Sequence, residues 1–173
     1  MREHFRLMLL VMLATLAVMP PCGAQEKPFT RAADGFSAGF PKPPEETSDK
    51  DGAAVYHYFR VFDDHVLYQV AHSQAAAPLQ AGSELKDALD GMVAGMKGRL
   101  LASETIEFDA GQGRRLPALT FFVENDKVSV TGTFVVDGKH LYGINAATEH
   151  GFDRHVAADR FVQSLKLLPP APQ

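Results

Sequence analysis

RRLPALTFFVENDKVSVTGTFVVDGKHLYGINAA, residues 114–147, is the stretch that decides the fold. Runs in which apolar and polar residues alternate are separated by Asn125-Asp126 and by Asp137-Gly138. Alternation with a period of two is typical of β-strands, and Asn, Asp and Gly pairs between such runs are typical of tight hairpin turns. The stretch therefore predicts three consecutive antiparallel strands.

The two faces of these strands follow from the first turn. A two-residue turn at Asn125-Asp126 sets Glu124 opposite Lys127. It gathers an apolar set on one face: Leu119, Phe121, Val123, Val128, Val130, Phe134 and Val136. The other face carries a half-polar set: Thr120, Phe122, Ser129, Thr131, Thr133 and Tyr142. That second face is therefore either solvated or covered by a second layer.

Another hairpin is predicted upstream. The segments AVYHYFRVF (54–62) and HVLYQVAHS (65–73) are rich in aromatic and branched residues and flank Asp63-Asp64. A two-residue turn there makes His57 and His72 diagonal neighbours near the open end of the hairpin. The face they occupy carries six further side chains: Val55, Phe59, Val61, Val66, Tyr68 and Val70. A slip of one residue would change that set.

An amphipathic helix is predicted between the hairpins. SELKDALDGMVAGMKG (83–98) opens with the capping residue Ser83 and ends at Gly98. Its apolar residues recur at helical spacing: Leu85, Leu89, Met92, Val93 and Met96. The interior glycines Gly91 and Gly95 each cost about 1 kcal/mol relative to Ala. We interpret them as positions where the helix lies close against a neighbour.

The fold class follows from these elements. A shorter helix, capped by Asp153, is predicted to run through Leu165 with Val156 and Phe161 turned inward. Strands that pair in hairpins, together with two helices, indicate an α+β protein. We predict a single antiparallel sheet of about six to seven strands with two α-helices packed on it.

The first 24 residues have the layout of a cleavable secretory signal peptide. Arg2 and Arg6 precede an apolar run, Leu7–Met19, and the small residues Cys22 and Ala24 suit cleavage before the next residue. Thirteen apolar residues are too few to span a bilayer core of about 30 Å comfortably. The alternative is lipid attachment at Cys22. We predict a periplasmic or secreted protein with no transmembrane segment after cleavage.

Composition excludes several functions. The chain has 17 Lys and Arg against 21 Asp and Glu, a net charge of -4, so it lacks the basic field that holds a nucleic-acid backbone. Its one cysteine is Cys22, and cleavage after Ala24 leaves a cysteine-free mature chain. No disulfide framework, thiol nucleophile or thiolate metal site is therefore expected.

Motifs for catalysis are lacking. GFSAG, with Ser37 at its centre, matches the hydrolase nucleophile elbow, but three nearby prolines exclude the helix that an elbow requires. Among the histidines, His57 and His72 are the pair that neighbouring strands could bring to a metal, although their spacing does not define a site. We predict a protein that is not an enzyme, with no catalytic residue, no cofactor and no defined metal site.

Three stretches carry a resemblance to a known group: DGFSAGFPKPP (34–44), GKHLYGINAA (138–147) and DRFVQSLKL (159–167). They resemble the opening strand, the Leu-Tyr strand and the closing helix of exported bacterial domains with the PsbP-like fold. The resemblance covers about Asp34 to Leu168. It implies an α/β/α sandwich and a non-catalytic accessory or docking role, and it transfers no catalytic residue.

The predicted domain limits are 1–24 for the signal, 25–33 for an N-terminal tether, 34–168 for one α+β domain and 169–173 for a tail. The predicted function is that of an exported accessory domain that binds a protein or envelope partner. Its expected contact surface is either the half-polar face around Phe122 and Tyr142 or the hairpin that carries Arg114 and Arg115, although burial of the two aromatics under a helix is an open alternative. The alternative function is that of a periplasmic small-ligand or metal-binding protein.

Overall fold

The computed structural model describes residues 28–51 and 54–169. The predicted signal peptide with Cys22, the first residues of the predicted tether and most of the predicted tail lie outside these ranges. The elements, in chain order, are β1 Phe29–Arg31, β2 Phe36–Ala38, β3 Glu45–Asp51, β4 Ala54–Asp63, β5 Val66–Gln74, α1 Ala81–Met96, β6 Arg99–Asp109, β7 Arg115–Glu124, β8 Val128–Asp137, β9 His140–Glu149, α2 His155–Val162 and β10 Lys166–Leu167.

Seven strands form one antiparallel sheet in the order β3-β4-β5-β9-β8-β7-β6. Three short strands form a second sheet in the order β1-β2-β10. The three strands predicted from residues 114–147 are β7, β8 and β9, and each pairs with the next. The α+β class and the predicted strand number of the main sheet are confirmed.

Each face of the main sheet packs against a different layer. On one face, Leu85 and Leu89 of α1 pack with Phe121 and Phe134, which confirms the predicted apolar face. On the other face, the small sheet and α2 form the second core, in which Phe161 contacts Phe40 and Tyr68 with ring centroids 4.9 and 5.1 Å apart. The half-polar face is therefore covered in part by a second layer, which was one of the two alternatives predicted for it.

The predicted hairpin turns are each one residue too early. In the first, Asp64 and His65 occupy the turn with φ of 45° and 65°, so that Asp63 pairs with Val66. In the second, the side chain of Asn125 accepts hydrogen bonds from the backbone N–H groups of Lys127 and Val128, which moves the turn onto the following residues. In the third, Asp137 pairs with His140 and leaves Gly138 and Lys139 in the turn.

The assignment of residues to the two faces of the sheet is unchanged, because each change in register is an even number of residues. The predicted shared faces of both hairpins are therefore confirmed. The pairings differ: Glu124 lies opposite Ser129 rather than Lys127. His57 lies directly opposite His72 rather than diagonal to it.

The predicted tether belongs to the fold from residue 29 onward. Phe29 lies in β1, which pairs with β2, and its ring packs on Phe36, Phe40 and Phe59 at centroid distances of 6.2, 5.7 and 5.6 Å. Burial of this aromatic ring is the physical reason, since a tether would leave it in water. The domain therefore begins before Asp34.

The helix ends differ from the sequence prediction. Gln80, not Ser83, is the N-cap of α1, and the hydroxyl of Ser83 donates to the Gln80 carbonyl instead. Lys97 rather than Gly98 takes the left-handed conformation at the C-terminus. The cap of α2 is Arg154 rather than Asp153.

Two predictions about helix packing are wrong. A Cβ added at Gly91 or Gly95 would meet no atom within 4 Å, so neither glycine marks a close contact. Val156, expected to face inward, is 70% exposed. It lies in the first turn of α2, whose buried residues are Ala158 and Phe161.

Candidate functional site

A buried carboxylate lies at the centre of the candidate site. Asp34 ends a single 3-10 turn, Ala32–Asp34, between β1 and β2, and only 5% of its surface is exposed. The chain leaves this turn through Gly35, whose φ is +72°. The backbone angle favours glycine here, and a Cβ at Gly35 would lie 3.0 Å from the Tyr142 hydroxyl, so that the hydroxyl would also have to shift.

Three histidines from three adjacent strands surround Asp34. His57 on β4 and His72 on β5 both place Nδ1 against the same oxygen, Asp34 Oδ1, at 2.8 and 3.1 Å. His140 on β9 places Nδ1 3.0 Å from Nε2 of His72. His72 is buried, with 5% exposure, whereas the side chain of His57 is 31% exposed.

Burial fixes the protonation state of His72. Desolvation lowers its pKa to about 4, against the opposing pull of the Asp34 charge and with a smaller contribution from His140. The ring is therefore neutral at pH 7. Since a carboxylate oxygen only accepts, Nδ1–H of His72 donates to Asp34, and Nε2 accepts from Nδ1–H of His140.

Arg31 and Glu46 complete the charges around the carboxylate. Arg31 Nε donates to Asp34 Oδ2 at 3.2 Å, and its Nη2 donates to Glu46 Oε1 at 2.5 Å. Burial acts to raise the pKa of Asp34, but the hydrogen bond from His57 and the charges of the neighbouring groups outweigh it and hold that pKa below its ordinary value. Asp34 is therefore ionised at neutral pH.

Tyr142 forms the inner wall of the site. Its ring stacks on His72 with centroids 4.9 Å apart and an angle of 25° between the planes. It is 4% exposed, and burial raises its pKa to about 12, so the phenol stays protonated. This wall holds the His72 ring in place and keeps water from its inner side.

The site can supply one carboxylate oxygen and two imidazole nitrogens to a cation. One ligand atom each from Asp34, His57 and His72 all lie within 4.8 Å of one another. His57 and His72 are the histidines that the sequence singled out. Asp34 and His140 were not predicted, because an Asp-Gly pair and a lone histidine carry no metal-ligand spacing.

The four predicted partner contacts differ in how far they are exposed. Tyr142 is buried, as the open alternative required. Arg114 forms an ion pair with Asp137, and Phe122 is half-buried toward the other end of β7. Arg115 is the one of the four that is largely exposed, with 57% of its side chain in solvent.

The main sheet carries α1 on one face and α2 plus a small sheet on the other, and a solved structure shows that this fold is PsbP-like. The solution structure of cyanobacterial PsbP (CyanoP) from Synechocystis sp. PCC 6803 matches with a TM-score of 0.56 and 15% identity, covering 88% of this chain and 98% of that one. A crystal structure from Bacteroides thetaiotaomicron VPI-5482 matches with a TM-score of 0.41 and 14% identity, covering 86% of this chain and 51% of the other. No protein-family model and no curated protein matches the sequence.

The resemblance drawn from the sequence is thus confirmed at the level of the fold. Within the described ranges, neither helix has the length and apolar character needed to cross a membrane. Ser37, the centre of the GFSAG motif, lies in β2 with 6% exposure.

Proposed function

We propose that this protein is an exported, non-catalytic domain that binds one zinc ion through Asp34, His57 and His72. The observation that carries the proposal is the convergence of three zinc-ligating side chains on one point, with Asp34 Oδ1 2.8 and 3.1 Å from the two imidazole nitrogens. The proposal develops the metal-binding alternative rather than the docking prediction. Export is supported by the signal-like sequence of residues 1–24.

The distances from Asp34 Oδ1 to the two imidazole nitrogens suit zinc after a small adjustment. With metal–ligand bonds of about 2.1 Å, two ligands of a tetrahedral ion lie about 3.4 Å apart. The separations from Asp34 Oδ1 to the two imidazole nitrogens, 2.8 and 3.1 Å, are shorter than this by roughly 0.3 to 0.6 Å. The side chain of His57 is partly exposed and can supply most of this movement.

The protonation states favour a cation. Metal ligation requires neutral imidazole and ionised carboxylate, which are the forms that burial and hydrogen bonding impose on His72 and Asp34. Binding at Nδ1 of His72 would place its proton on Nε2, which donates to Nδ1 of His140 when the His140 proton moves to its own Nε2. His140 thereby becomes the outer partner that orients a metal-bound histidine.

The local charge is also suitable. The carboxylates of Asp34 and Glu46 and the guanidinium of Arg31 sum to -1 when both histidines are neutral. Arg31 contacts Oδ2 of Asp34, so Oδ1 stays available to a metal. The exposed side of His57 leaves room for water as a fourth ligand, which zinc commonly takes.

Docking to a partner stays a prediction, and metal binding is preferred because three ligating side chains converge at Asp34. The non-catalytic part of the proposal rests on the lack of a recognised catalytic motif in the sequence. We therefore expect that the purified protein, with or without zinc, does not turn over a broad panel of chromogenic esters, phosphates and glycosides.

Zinc titration of the mature protein tests the proposal. After a chelator has removed metals, isothermal calorimetry should show one zinc ion bound per chain. In a separate thermal scan, zinc should raise the melting temperature. His57→Gln, a partly exposed position, should lose this binding and still fold. His155→Gln is the matched control, because His155 is an exposed histidine on α2. Equal zinc binding by the wild type and His57→Gln, or no stoichiometric binding by the wild type, would overturn the proposal.

A further inference from the structure

A second cavity lies on the opposite face of the main sheet. Helix α1 packs on β7 and β8, and the neighbouring strands β9, β5 and β4 continue the same sheet beside it. The corner between the helix and these strands is an open cleft of about 450 Å³. A volume of this size is typical of small-molecule sites.

The floor of the cleft is made by β5 and β9. Ala71 and Gly143 present little or no side chain there, and Asn145 lies two residues further along the same face of β9. Asn145 is only 5% exposed, yet within the described chain its side-chain amide has no hydrogen-bond partner and it lines the cleft. The amide is not among the fully buried unpartnered polar atoms of the described residues, so it keeps contact with the open cleft, where a ligand could replace water as its hydrogen-bond partner.

The walls of the cleft are aromatic on one side and acidic on the other. Tyr56 and Tyr58 lie on β4 with ring centroids 6.4 Å apart and planes 14° from parallel. Glu84 and Asp87 line the cleft from α1. None of the described residues that line it is Lys or Arg. Arg60 lies over the Tyr58 ring at 4.5 Å and donates to Gln69, but it is not itself a lining residue.

The absence of a side chain at Gly91 leaves space in the cleft. This helix-interior glycine lines the cleft, and a Cβ placed on it would meet no atom within 4 Å. Close packing therefore does not explain why alanine, the better helix former, is absent here. Any larger side chain at this position would project into the cleft.

We propose that this cleft binds a small organic cation with an aromatic or aliphatic body, such as a primary amine. The carboxylates of Glu84 and Asp87 pair with the ammonium group, and the Asn145 amide oxygen accepts one of its N–H groups. The tyrosine rings and the apolar floor cover the body, and aromatic faces attract cations. His72 is among the residues that line the cleft, but its side chain points to the other face of the sheet, where it contacts Asp34. The amine proposal uses none of the zinc-ligating side chains, so it does not rest on the proposed zinc binding.

A matched pair of probes tests the charge requirement. 2-Phenylethylamine and 2-phenylethanol have nearly the same shape, but only the amine is cationic at pH 7. With a chelator present to exclude metals, calorimetry or chemical-shift titration of the mature protein should show saturable amine binding. The alcohol should bind at least about tenfold more weakly.

Variants locate the binding. The double variant Glu84→Gln, Asp87→Asn should weaken amine binding at least about tenfold, and Gly91→Leu should abolish it while leaving the melting temperature unchanged or higher. Asp90→Asn is the control, because Asp90 is an exposed helix carboxylate that pairs with Lys86 outside the cleft. The proposal fails if the alcohol binds as tightly as the amine, if the amine does not bind saturably, or if the double variant binds it like the wild type.

Discussion

Lowering the pH should destabilise the metal-free protein, because His72 is buried in its neutral form in the folded chain. In the folded chain the pKa of His72 is about 4, because burial penalises its charged form, whereas the ordinary value is 6.5. Between these two values the unfolded chain binds a proton that the folded chain does not. Stability is therefore complete above pH 6.5 and is lost as pH falls toward 4.

The size of the effect follows from the two pKa values. At pH 5 an unfolded histidine is almost fully protonated, while folded His72 is still largely neutral. The difference in proton binding lowers the free energy of unfolding by roughly 2 kcal/mol between pH 7.5 and pH 5. Asp34, whose pKa lies below its ordinary value, adds a loss in the same direction only at more acidic pH.

Urea denaturation at a series of pH values, with a chelator present, measures this slope. His72→Gln should flatten the curve by roughly 2 kcal/mol over that range, and His155→Gln should leave it unchanged. Titration of the His72 ring by NMR gives the same quantity without a variant. A His72 pKa near 6.5, or equal slopes for the wild type and His72→Gln, would refute the argument from burial.

Two matched pairs of substitutions test the packing. Gly132→Ala should destabilise the protein by about 1–3 kcal/mol, because its Cβ would lie 2.5 Å from the Phe121 ring and 2.7 Å from a backbone carbonyl. Gly95→Ala, where nothing lies within 4 Å, should instead stabilise it by up to about 1 kcal/mol in the same urea assay. Phe59→Ala, at a side chain with 0% exposure, should cost about 3–5 kcal/mol. Phe62→Ala, at 57% exposure, should change stability by no more than about 0.5 kcal/mol, and a similar loss for both would contradict the assigned face of β4.

The main sheet could be predicted because its strands alternate and its faces do not change under an even shift in register. The turn positions could not be predicted from the alternating pattern. They depend on single residues, namely on hydrogen bonds to the Asn125 side chain and on the left-handed backbone at Asp64. The short strand β1 was missed because three residues are too few to show a period. Only its contact with the distant Phe36 and Phe59 shows that Phe29 belongs to the core.

The candidate metal site was only half visible in the sequence. His57 and His72 could be paired because they lie on adjacent strands of one hairpin. Asp34 reaches them from a turn 23 residues before His57, and His140 from a strand 68 residues after His72. Contacts of that kind depend on the order of strands in the sheet, which local patterns do not encode.

A crystal structure of the zinc-soaked mature protein, with anomalous scattering measured at the zinc edge, tests the central claim most directly. The account predicts one strong anomalous peak about 2.1 Å from Asp34 Oδ1 and from Nδ1 of His57 and His72. An undisturbed set of hydrogen bonds between these three side chains, with no zinc peak among them, would contradict it.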